Sequence, residues 1–123
     1  MLLKDFYSII SSTSPETDTF ETRVQLQKKH PLFQGHFPNF PVTPGVAMLQ
    51  IIKELTEKHL QQTLFLESAS NVKFLTLVDP NVHSTLQFSI TYQRKSEYIK
   101  VKNTTSFADG TQVLKCYITF TKR

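Results

Sequence analysis

Gly35-His36-Phe37-Pro38-Asn39-Phe40-Pro41-Val42-Thr43-Pro44-Gly45-Val46-Ala47-Met48-Leu49-Gln50 is the stretch on which the reading of this chain turns. With Pro31 just upstream, it puts Pro31, Pro38, Pro41 and Pro44 and one glycine between His30 and Pro44. Each proline removes a backbone donor and fixes φ, which argues against both helix and central strand. The segment therefore reads as a rigid, ordered loop. A stiff loop holds a side chain in place at low entropic cost, and the side chain so held is His36. Helix signals begin immediately afterwards: Thr43 can cap and Pro44 suits a first turn. Residues 46–52 are all apolar except Gln50, and Lys53, Glu54, Thr56, Glu57 and Lys58 then make the pattern amphipathic until it fades over residues 60–63. A helix apolar almost all round at its start is buried on most sides there.

Working outward, the segment 11–18 is rich in Ser, Thr and Pro and reads as a loop after a short N-terminal element. The first clear strand follows, with Phe20, Thr22, Val24 and Leu26 on one side and Glu21, Arg23 and Gln25 on the other. Beyond the helix, residues 72–78 read as a strand. Leu86, Phe88, Ile90 and Tyr92 alternate cleanly, and residues 98–107 and 114–120 supply two more strands, with Asp109-Gly110 as a hairpin turn between them. The expected order is one strand, one buried helix, then four antiparallel strands. This is an α+β arrangement with a helix on a sheet.

The 123 residues fit a single domain spanning 1–123, able to bury a core without disulfides or structural metal. No apolar run approaches the roughly 20 residues of a membrane-spanning helix. Residues 1–10 lack the pattern of a secretory signal, so a cytoplasmic location and no membrane contact are expected. Cys116 is the single cysteine; it sits in the run Leu114, Cys116, Ile118, Phe120 and reads as a buried small hydrophobe. The net charge of +4 suits an acidic partner. The lysines and arginines are scattered and carry no nucleic-acid-binding motif, so no nucleic-acid partner is expected. No metal cluster, phosphate loop or cofactor motif is visible.

The quoted stretch resembles the signature of the beta-hydroxyacyl-acyl carrier protein dehydratase family: Gly35, His36, Phe37, Pro38, Pro41, Pro44, Gly45 and Val46 match it in spacing. The resemblance is close over the first half of the chain and rests on strand pattern and length over the second. It implies a hotdog fold, an antiparallel sheet wrapped around one long central helix. It further implies a homodimer or larger dimer-based assembly with active sites at the interface, and an acyl carrier protein or CoA thioester as substrate. Removing water from a 3-hydroxyacyl thioester needs a base for the C2 proton, and a neutral histidine suits that task. By the resemblance the base is His36. The Gly45 N–H, at a helix N-terminus, would hold the thioester oxygen, with Phe37 and Val46 as neighbouring substrate contacts. No metal or other cofactor is implied.

One position departs from the family pattern. Where the resemblance places a helix acid, fourteen residues after the histidine, stands Gln50; Glu54 follows at i+4 on the same helix face. Glutamine can donate and accept hydrogen bonds but cannot deliver a proton. Three readings stay open. Glu54 takes over the acid role; His36 works alone with reduced efficiency; or the chain is a catalytically deficient acyl-binding subunit, paired with another hotdog subunit as a heterodimer. An acyl thioesterase is a further alternative. The bland reading of Glu54 is a solvated carboxylate beside Lys53, Glu57 and Lys58, and His30, His59 and His83 carry no motif context.

Overall fold

Alternation of apolar and polar residues builds most of the sheet. A computed structural model describes residues 5–34 and 43–122. Along the chain the elements are β1 (Tyr7–Glu16), β2 (Thr19–Leu26), α1 (Pro31–Gln34), α2 (Gly45–Leu60), β3 (Leu64–Phe74), β4 (Thr85–Arg94), β5 (Tyr98–Phe107) and β6 (Gln112–Lys122). The strands form one six-stranded sheet in the order β1-β2-β4-β5-β6-β3, antiparallel at every pairing. Phe20, Thr22 and Val24 of β2 face Ile90, Phe88 and Leu86 of β4, so one apolar row continues across the pair. The period of two repeats along β5, where Ile99, Val101, Asn103, Thr105 and Phe107 are buried and their neighbours are not.

These inward rows close on α2, which buries Ala47, Met48, Ile51, Ile52, Leu55, Thr56 and Leu60. One buried helix on one antiparallel sheet is the hotdog α+β architecture expected. The opposite face of the sheet presents Lys100, Lys102 and Lys115 to solvent, and this is where part of the positive charge lies. Cys116 is buried, and burial pushes its thiol up to about 11 despite a hydrogen bond with Asn103, which fits a packing residue rather than a nucleophile.

Four expectations are corrected. Residues 11–16 are not loop but the second half of β1, and only Thr17 and Asp18 form the turn, with Asp18 at φ 62°. Pro15 is tolerated because β1 is an edge strand, where a missing N–H costs no ladder bond. Two strands therefore precede α2 instead of one. The proline-rich segment opens with a single helical turn, α1, whose first residue Pro31 needs no intrahelical donor. Thr43 does not cap α2: the N-cap is Pro44, without a side-chain hydrogen bond, and the Thr43 hydroxyl is buried without a partner. Finally, β3 begins at Leu64, not at residue 72. Its side chains are exposed almost throughout, so it lacks the one-sided alternation that reveals a half-buried strand.

That strand forms one open edge of the sheet. Phe65, Leu66 and Phe74 on it, Leu75, Leu77 and Val82 after it, and Val46 on α2 are all exposed. An apolar band along an unpaired edge is a feature that isolated chains avoid.

Candidate active site at the start of the central helix

Gly45 opens α2, and an aromatic ring lies close against it. A Cβ built at this position would meet the ring of Phe74 at 2.7 Å (Cζ). Phe74 ends β3, where it pairs with Leu114, and it is half exposed. Its ring thus lies against the helix start, and a side chain at position 45 would have to push the far end of that ring aside. Ala47 and Met48 both donate their N–H to the Pro44 carbonyl, closing the first turn. No sequence signal marks Phe74; its long-range pairing across the sheet brings it here. Val46, expected among the substrate contacts, is 72% exposed beside Gly45. His36 and Phe37 lie outside the described residues.

This contact gives a prediction. Gly45→Val should keep the fold, because the far end of a half-exposed ring can swing aside. It should weaken binding of an acyl-pantetheine analogue by roughly tenfold or more, a loss of about 1.4 kcal/mol, since the displaced ring and new side chain crowd the helix N-terminus. Calorimetric titration measures the affinity. Unchanged binding in the variant would remove Gly45 from the site.

One turn further along α2 the carboxamide and the carboxylate meet. Gln50 donates from Nε2 to Glu54 Oε2 at 2.9 Å, and Tyr7 donates its hydroxyl to Glu54 Oε1 at 2.8 Å. Glu54 is half-buried. The arrangement answers the bland reading of this residue: it is held by a helix neighbour and by the first residue of β1, 47 positions away in sequence. Burial, with the Glu54 carboxylate beside it, raises the Tyr7 phenol above its ordinary value, so it stays a hydrogen-bond donor. Glu57, by contrast, pairs with Lys53 at 3.2 Å and accepts the Leu64 N–H at 2.8 Å, which ties the helix end to the start of β3. Tyr7 was missed by sequence reasoning; nothing in a short N-terminal element marks it.

The other histidines serve packing. His59 stacks on Phe20 with ring centroids 4.1 Å apart and lies 3.5 Å from the Tyr92 hydroxyl; burial, then Arg94, lowers its pKa. His83 stacks on Phe107 at 3.9 Å, and His30 meets the edge of Phe6. Among the described residues no three His, Cys, Asp or Glu side chains are placed to hold a metal ion, and no helix is long and apolar enough to cross a membrane.

Comparison with known proteins follows the same line. Residues 12–111 match the ApeI-like family, described as ApeI dehydratase. The chain is similar to the 3-hydroxyacyl-[acyl-carrier-protein] dehydratase FabZ of Latilactobacillus sakei strain 23K, 30% identical over 96 residues covering 72% of this chain and 67% of that protein. It is 35% identical over 75 residues to the FabZ of Caulobacter sp. strain K31, covering 54% of this chain and 46% of that one. The chain thus spans between about half and two thirds of these curated relatives. Among solved structures it is similar to the dehydratase heterocomplex ApeI:P of Xenorhabdus doucetiae (TM-score 0.75, 21% identity, 93% of this chain, 96% of that one). A hypothetical thioesterase of Streptococcus pneumoniae TIGR4 with coenzyme A is also similar (TM-score 0.66, 9% identity, 95% and 85%). At these identities the two structures share the fold.

Proposed function

The chain belongs to the ApeI-like dehydratase family, and we propose that it removes water from 3-hydroxyacyl thioesters to give trans-2-enoyl thioesters. The observation that supports the reading is the opening of α2: a glycine at the helix start with the Phe74 ring against it, followed on the same helix by Gln50. The curated relatives are dehydratases of acyl carrier protein thioesters, which supports the substrate class. A CoA thioester presents the same pantetheine arm.

In this reading His36 takes the C2 proton, and the electron pair of that bond becomes the C2=C3 double bond as the C3–O bond breaks. Charge that gathers on the thioester oxygen meets the Gly45 N–H. Gln50 has no proton to give. The imidazolium of His36 therefore returns its proton to the departing oxygen, and the balance is loss of one water. Gln50 holds the hydroxyl in place during the transfer. An enzyme run by one acid–base group is slower than one with two, which is the expected cost of the departure at Gln50.

The exposed apolar band along β3 is proposed to be covered by a second hotdog subunit, either this same chain or a different one. The dehydratase heterocomplex among the similar structures supports the second possibility. At micromolar concentration the protein is expected to sediment as a dimer or larger, and Leu66→Glu, at a half-exposed edge position, should shift it toward monomer. A strict monomer for the unaltered chain would contradict this assembly.

The reaction itself is tested by product analysis. A 3-hydroxyacyl pantetheine thioester should yield the enoyl thioester without free thiol. Release of thiol would instead favour a thioesterase, a reading that a water-positioning carboxamide at Gln50 also allows. Tight binding with neither product would favour a non-catalytic acyl-binding subunit.

A further inference from the structure

We propose that Tyr7 is a positioning residue that, through Glu54, fixes which end of the Gln50 carboxamide faces the substrate. The proposal rests on the reading of Gln50 as a site residue. A carboxylate can only accept, so the Gln50 atom 2.9 Å from Glu54 Oε2 must be the nitrogen. The carboxamide is planar, and its carbonyl oxygen is then turned to the side away from Glu54. Tyr7 holds the second carboxylate oxygen at 2.8 Å, which stops Glu54 from rotating away from Gln50. Each donor thus orients the next group: phenol to carboxylate, carboxylate to amide.

The consequence is chemical. A carbonyl oxygen has two lone pairs, so it can accept from a substrate alongside any protein donor. What it recognises is an O–H: the 3-hydroxyl of the substrate in dehydration, or the attacking water in the reverse reaction. Both Glu54 oxygens already accept, Oε1 from Tyr7 and Oε2 from Gln50. Glu54 in this arrangement is a support for Gln50. The carboxamide that stands where the resemblance places an acid is thereby accompanied by a tyrosine on β1 that anchors the carboxylate at i+4.

The test has a structural arm and a kinetic arm. In protein labelled with 15N at glutamine side chains, the Gln50 amide pair is assigned by its loss in Gln50→Ala. The expected result is that Tyr7→Phe shifts this pair and speeds its proton exchange, and that Glu54→Gln does so as well. If the pair is unmoved in both variants, the proposal is overturned, whether or not the protein turns over substrate. In the kinetic arm Tyr7→Phe should lower kcat about tenfold while KM stays within about twofold, and should add nothing further in the Gln50→Ala background. An equal loss in both backgrounds would make Tyr7 merely structural and also overturn the proposal. If the amide pair moves as expected but the unaltered protein makes no enoyl product, the dehydratase reading fails and the Tyr7–Glu54–Gln50 chain stands.

Discussion

His36→Ala is expected to lower the dehydration rate by roughly a hundredfold or more, the ordinary scale for loss of a general base. The expectation is sharper here than in an enzyme with a separate acid, because Gln50 cannot supply a proton and His36 carries the transfer in both directions. Binding should be affected far less. Proton transfer is a transition-state interaction, and its removal lowers kcat with little change in KM. Steady-state kinetics with the variant and the unaltered protein, at matched subunit concentration and with matched circular dichroism, would measure both. A rate within a few-fold of the unaltered protein would move the base elsewhere, and Glu54 would be the next residue to examine.

A second large effect concerns the framework. Phe88 is fully buried on β4, between Thr22 of β2 and Thr105 of β5, on the face that packs toward α2. Phe88→Ala removes a fully buried ring from a central strand of the sheet and leaves a cavity. A loss of about 3–5 kcal/mol in unfolding free energy is expected, read as a lower urea midpoint at an unchanged denaturant slope. The comparison must hold protein concentration fixed, because an associating protein gains stability from its partner by mass action. A loss below about 1 kcal/mol, outside the range for buried aromatic truncations, would contradict the packing described. It would also mean that the inward row shared by β2, β4 and β5 is not the structural centre.

How much of this was legible in the sequence follows from physical cause. β2, β4, β5 and β6 each bury one face, so their alternation was visible, and the Asp109-Gly110 turn was too, with Gly110 at φ 92°. The helix start was visible because Pro44, Gly45 and a long apolar run coincide there. The two edge strands were harder. β1 and most of β3 bury neither face fully, and a Ser- and Pro-containing edge strand has the composition of a loop. At the site, the motif pointed to Gly45 and Gln50 directly. Phe74, against Gly45, and Tyr7, which reaches Gln50 only through Glu54, come from opposite edges of the sheet, so only the fold could bring them in. From its helix neighbours alone Glu54 reads either as a candidate acid or as a solvated carboxylate; the contact from β1 that holds it is visible only in the fold.

The central claim is that a dehydratase site with a carboxamide in the acid position still works. It is tested most directly by hydration of a trans-2-enoyl thioester by the folded, associated protein, followed as loss of enoyl absorbance. The account predicts slow but measurable turnover by the unaltered chain, and faster turnover by Gln50→Glu, which restores an acid at nearly the same volume. No turnover by either protein, each shown to be folded and associated, would contradict it and leave the chain an acyl-binding subunit.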